Sequence, residues 1–269
     1  MFFALNLIAP IILMIIFGML SKHILKFNTS HSSAMIYFLL KIAIPSMIIL
    51  GISNQPMSIL AQSSTFFFCM LAVTGIILCL ALLYAKFIKG LKSTEVAFFA
   101  ATTCLSNALM LAFPILNMII GEAHSATYGI LSVIVLIIGL KVLSILADIT
   151  DEDGHPCFIK RITSAIKDLF LQPFFIAFII GVTFSYLGNF GIDIPAPIHK
   201  ALEYFEISAA PIAFFAVGVD LNLCILRKHF RALIEVSIFK LVLMPITAWY
   251  MAQYFHLPAN TTIALVVCS

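Results

Sequence analysis

Nine apolar runs separated by short polar gaps follow one another along the chain, at residues 4–20, 34–52, 65–84, 94–120, 126–147, 172–187, 201–220 and 236–254, with a last one opening near residue 259. Runs of roughly 17 to 25 apolar residues are what an α-helix needs to cross the hydrocarbon layer of a bilayer. No pattern of strand-length alternation between apolar and polar positions occurs, which sets a membrane β-barrel aside. The pattern predicts an all-α, polytopic membrane protein.

Charge falls in alternate gaps. The gaps 21–33, 85–93, 148–171 and 221–235 hold eleven of the fifteen Lys and Arg residues, whereas the intervening gaps hold only Lys200. Short cytoplasmic loops retain Lys and Arg, so the alternation places the basic gaps inside and the N-terminus outside, in a multi-pass protein of the cell (inner or plasma) membrane. The first run lacks a basic segment before it and is too long for a cleaved signal, so it reads as a true span.

Composition agrees with this reading. With 62% hydrophobic residues, 10% charged residues and a mean hydropathy of +1.14, the chain has too little polar surface to cover a soluble globule. The net charge of +3 sits in the basic gaps and reports topology, and no basic stripe interleaved with aromatics points to nucleic acid. Cys69, Cys79, Cys104 and Cys268 lie in apolar runs without metal-ligand spacing and read as packing residues. No HExxH, GxSxG or Walker loop is present, so neither an enzyme, a metal nor a cofactor is expected.

A repeat emerges when the chain is divided at its longest polar stretch. Pro10 and Gly18 of the first run match Pro173 and Gly181 of the sixth, while Ala43, Ile44, Pro45 and Gly51 of the second match Ala209, Ala210, Pro211 and Gly218 of the seventh, at offsets of 163 and 166 residues. Five runs precede the division, an odd number, so the second copy enters from the opposite side. Inverted repeats of this kind build secondary transporters. The expected organisation is a first five-helix repeat at 1–147, a cytoplasmic linker at 148–171 and a second repeat at 172–269 that ends within its fourth helix. That ending leaves open a fragment, a truncated product or an abandoned repeat.

Several residues at membrane depth carry candidate chemistry. Thr102, Thr103, Ser106 and Asn107 cluster in the fourth run, and Pro114 follows, so backbone near 108–111 is expected to lose helical partners. Unwound backbone at this depth is tolerated where it is buried or lines a wet cavity, and it attracts ions and polar substrates. The alternative is ordinary interhelical hydrogen bonding beside a proline kink. Lys41 lies near the middle of its span, where a charge costs about 2.5–3.5 kcal/mol on insertion scales. The repeat sets it almost opposite Glu206, and an ion pair or alternate closure of the path is one hypothesis. Lys240 and Lys141 lie within reach of the cytoplasmic surface by snorkelling. Three intramembrane cations against Glu206 point to an anionic cargo, with Glu206 as the candidate for proton coupling. Pro45, Pro211 and Pro245 are candidate gating kinks.

The segments 42–48 (IAIPSMI), 107–114 (NALMLAFP), 172–181 (QPFFIAFIIG), 211–221 (PIAFFAVGVDL) and 240–245 (KLVLMP) together resemble the auxin efflux carrier family of bacterial permeases. The resemblance implies two inverted five-helix repeats similar to bile-acid symporters and sodium/proton antiporters, with broken fourth and ninth helices crossing at the midplane. It implies a crossing motif at Asn107 and Pro114, an eighth-helix motif at Lys240 and Pro245, and a small carboxylate such as malate, malonate or auxin as cargo. Ala108 and Leu109 stand where the family has Thr-Gly, and Ala112 where it has Gly.

The reading that follows is a secondary permease for a small organic anion working by alternating access. Substrate contacts are expected from Ser106, Asn107, Pro114, Lys41 and Lys240, and coupling or gating from Glu206, Pro45, Pro211 and Pro245. The partners are the anion, protons, the lipid bilayer and, as an option, a second copy in a homodimer. The alternatives are a sodium-coupled symporter of bile-acid type and a truncated, non-transporting membrane protein.

Overall fold

The computed structural model describes residues 2–104, 112–150, 171–222 and 227–269 of this chain. All regular elements among the described residues are helical. They are α1 (Phe2–Ile24), α2 (Thr29–Phe38), α3 (Ile44–Ser53), α4 (Met57–Gln62), α5 (Ser64–Leu83), α6 (Ser93–Cys104), α7 (Phe113–Ile120), α8 (Glu122–Thr150), α9 (Pro173–Gly188), α10 (Ala196–Asp220), α11 (Phe230–Ile238), α12 (Met244–Tyr254) and α13 (Ala259–Cys268). Five continuous helical stretches among the described residues are long and apolar enough to cross a bilayer: Thr29–Ser53, Ser64–Ile88, His124–Leu143, Ala196–Asp220 and Phe230–Tyr254. The chain is a multi-pass membrane protein.

Three of these stretches contain a widened, π-helical turn, at Leu39–Ala43, Tyr84–Ile88 and Phe239–Leu243. Two of the three have a proline at the second residue beyond them, Pro45 and Pro245. A proline inside a helix lacks the N–H of an i→i−4 bond, and its ring presses on the preceding turn. An inserted residue relieves that pressure by widening the turn. Thus the Ile44 N–H bonds to the Leu39 carbonyl and the Met244 N–H to the Phe239 carbonyl. In that register the next donors would be Pro45 and Pro245, so the carbonyls of Leu40 and Lys240 are left with no backbone donor.

Packing divides the chain into two compact units that each draw on both ends of the sequence. The first comprises Met1–Ser53 and Ile176–His229. In it α10 packs along α1 and along the α2–α3 stretch. Gly18 of α1 and Gly218 of α10 meet backbone to backbone: a Cβ at Gly18 would stand 2.2 Å from the Phe215 carbonyl oxygen, and one at Gly218 would stand 2.1 Å from that of Ile15. In lipid, where apolar side chains gain nothing by leaving a solvent, such close approach of small residues is a main source of helix association. Gly181 of α9 similarly sits against Ile49 and Ile52 of α3. At one end of this unit Asn28 caps α2, its Oδ1 accepting from the N–H groups of Ser30 and His31, while the Ser32 hydroxyl donates to Asp220 Oδ2 at 2.5 Å.

The second unit comprises Asn54–Phe175 and Phe230–Ser269. Its core is a stripe of α5, Phe66, Met70, Val73 and Ile77, at the 3–4 spacing of one helix face. Small residues Ala81, Ala248, Ala252 and Ala264 are buried against it and permit close helix approach. Tyr84, Phe99 and Phe239 form an aromatic triangle with centroid separations of 5.4–6.0 Å. Lys89 pairs with Glu235 and lies over the Phe99 ring, tying the loop after α5 to α11 and α6.

Candidate functional site

Two of the three intramembrane lysines singled out by sequence, Lys41 and Lys240, lie in π-helical turns, each just before a proline, while the third, Lys141, lies in α8. In the first unit, Lys41 projects from the surface of its stretch, and its Nζ lies 5.9 Å from the centroid of the Tyr37 ring one turn earlier. In the second unit, Lys240 is half-buried beside Phe239 and close enough to Cys104 of α6 to interact with it electrostatically. Cys104 is the last described residue of the fourth run, two positions before Ser106. Lys240 thus faces the described end of α6. Ser106 and Asn107 themselves lie outside the described residues.

The remaining candidates are distributed as follows. Pro114 occupies the second position of α7, where a missing N–H costs no helical bond. Pro45 and Pro245 occupy the same position in α3 and α12, Pro45 being buried and Pro245 half-buried. Pro211 lies in the interior of α10 on an exposed face, and Glu206 is half-buried on the same helix one turn earlier. Lys41 lies over the Tyr37 ring, while Lys89 pairs with Glu235 and Lys200 with Glu203.

Sequence reading missed a buried polar seam in the second unit. Ser125, Thr127, Tyr128 and Ser132 of α8 are each buried, and the Tyr128 hydroxyl hydrogen-bonds Thr261 of α13 at 3.1 Å. Ser132 donates to the Tyr128 carbonyl at 2.8 Å. The signal was present: Ser125, Tyr128 and Ser132 recur at spacings of three and four, one face of a helix. It was hidden by the long apolar run around it. Among the described residues no group of His, Cys, Asp and Glu is arranged to hold a metal ion.

Comparison with known proteins adds two findings. The family described as membrane transport protein matches the chain over residues 3–269. An uncharacterized transporter of Methanocaldococcus jannaschii is 24% identical over 257 residues, covering 94% of this chain and 80% of that protein.

Proposed function

Because this chain belongs to the membrane transport protein family, the auxin efflux carrier family that its sequence resembles, we propose that it is a secondary active carrier for a small organic anion of the malate, malonate or auxin-like carboxylate class. The observation that carries this reading is Lys240, a cation half-buried in the second unit, in a π-helical turn whose Phe239 packs on Phe99 of α6. A lysine held at membrane depth costs several kcal/mol unless something repays it, and a bound carboxylate does so. Substrate contacts are assigned to Ser106, Asn107 and Lys240, with Lys41 and Pro114 supporting them.

Alternating access follows from two inverted repeats, 1–147 and 172–269, joined by 148–171. Two glycine contacts support the repeat. The first run meets the seventh at Gly18 and Gly218, and the sixth meets the second where Gly181 packs on Ile49 and Ile52, either side of Gly51. A two-fold exchange of the halves turns one contact into the other. The basic gaps set the N-terminus outside the cell membrane. Glu206 is the group proposed to couple transport to protons, and Pro45, Pro211 and Pro245 are the flexing points.

Uptake of labelled malonate and malate into proteoliposomes, with and without an imposed proton gradient, tests the proposal. Gradient-dependent uptake that falls at least tenfold in Lys240→Gln is expected, a loss of about 1.4 kcal/mol or more of binding. Glu206→Gln is expected to retain uptake without its response to the gradient. Failure of the intact chain to take up any dicarboxylate under either condition rejects the carrier reading, and undiminished uptake by Lys240→Gln rejects the role of that lysine.

A further inference from the structure

The first unit carries a feature that transport does not use: an apolar groove of about 620 Å³ where α1, α2 and α10 meet. Met14 and Phe17 form one wall, Met35 and Phe38 another, and Pro211 and Phe215 the third. Gly18 and Gly218 draw α1 and α10 together beside it, and α2 packs against α10 along its other wall. Its lining is apolar throughout.

Two lysines flank one end of the groove. Lys22 lies five residues beyond Phe17 on α1, about 7.5 Å along the helix axis. Lys26 follows in the turn into α2, at a φ of 57°, next to Phe27. The Phe27 ring packs edge-on against Phe215 of the groove wall at 5.6 Å and against His31 at 5.1 Å. Hence the aromatic pair Phe27 and His31 closes the same end of the groove that Lys22 and Lys26 flank. The first turn of α2, at this end, has no acidic residue, and Asp220 at this end already accepts the Ser32 hydroxyl.

The depth fits one leaflet. From Met14 to Lys22 is about 12 Å of helix, comparable to half of a hydrocarbon layer of roughly 30 Å. An apolar slot of this length ending in two lysines has the shape and charge of an anionic phospholipid, with an acyl chain between the helices and a phosphate at the lysines. Basic pockets between membrane helices bind anionic headgroups by this combination.

We infer that this groove is a binding site for one anionic phospholipid, its acyl chain lying along Phe17, Met35 and Phe215 and its phosphate held by Lys22 and Lys26. Native mass spectrometry of the detergent-purified chain with added phosphatidylglycerol or phosphatidylcholine of the same acyl chains is the test. Phosphatidylglycerol is expected to be retained on the order of tenfold more than phosphatidylcholine, the effect of two lysines at an anionic headgroup. In the double variant Lys22→Gln, Lys26→Gln that preference disappears while phosphatidylcholine binding is unchanged. In Ala34→Phe, which fills the groove from α2, both lipids are lost. Met35→Phe serves as a second filling variant that controls for disturbed α2–α10 packing in Ala34→Phe, and each is compared with the parent by circular dichroism melting. Equal retention of the two lipids, a preference that survives removal of both lysines, or a dimer seated on the groove in place of lipid overturns the inference.

Discussion

Burial of the apolar windows ranges from 17% for Phe230–Tyr254 to 61% for α8 in the second unit, whereas in the first it stays between 28% for α10 and 39% for Thr29–Ser53. The first unit is held by backbone-to-backbone glycine contact and presents large side chains such as Phe17, Tyr204 and Ile207 outward. The second wraps its helices around a continuous core and hides hydroxyls within it. A unit with a deep core can keep polar groups out of lipid and arrange them around a solute, because each finds a partner inside. The first unit buries separate hydroxyls, Ser21, Ser32, Ser46 and Ser185, whereas the second lines up Ser125, Thr127, Tyr128 and Ser132 along α8. Lys240 is half-buried while Lys41, in the same kind of turn, projects outward.

The largest effect that sharpens this comparison comes from the first unit. Gly18→Val or Gly218→Val is expected to abolish folded protein, because the new Cβ would overlap a backbone carbonyl that no rotamer change can move, a loss on the order of 4–5 kcal/mol or more. Gly75→Ala, with nothing within 4 Å of the added atom, is expected to be neutral or slightly stabilising. Expression yield and melting of the purified variants in detergent separate the two. Next in size, Lys240→Gln is expected to reduce malonate uptake at least tenfold and Lys41→Gln less than threefold, reflecting roughly 1.4 and 0.6 kcal/mol. Equal losses would erase the distinction between the units.

Smaller effects probe the second unit. Glu235→Gln leaves the Lys89 ammonium, about one quarter exposed, without its carboxylate, and is expected to lower stability by about 1–2 kcal/mol, read as an earlier melting transition. Tyr128→Phe removes the hydrogen bond to Thr261 while keeping the ring on Phe66, and a loss near 0.6 kcal/mol is expected from what interhelical hydrogen bonds in membranes contribute. Thr261→Val in the Tyr128→Phe background should then cost almost nothing further, since the pair is already broken.

Much of this architecture was legible in the sequence. The apolar runs forecast helices because lipid permits a spanning chain little else, and the runs at 34–52, 65–84, 201–220 and 236–254 coincide with stretches long enough to cross. The family was legible from motifs around Pro45, Asn107, Pro211 and Lys240. The π-helical turns were not, because one added residue shifts the 3.6-residue pattern too little to be seen against uniformly apolar flanks. Nor was the grouping of helices into units, since Gly18 finds Gly218 across two hundred residues and no local pattern reports such a contact. The seam at Tyr128 and Thr261 went unread for the same reason. Ser106 and Asn107, expected to contact substrate, lie outside the described residues.

The carbonyls of Leu40 and Lys240 have a mechanical consequence for two spans. Bending an ordinary helix in lipid stretches or breaks a backbone bond that nothing outside can replace. At these two points the bond was forfeited when proline entered the sequence, so the span can swivel there without a further penalty. At Pro45 and Pro245, as at Pro211 within α10, the missing N–H makes the helix easier to bend than an uninterrupted one.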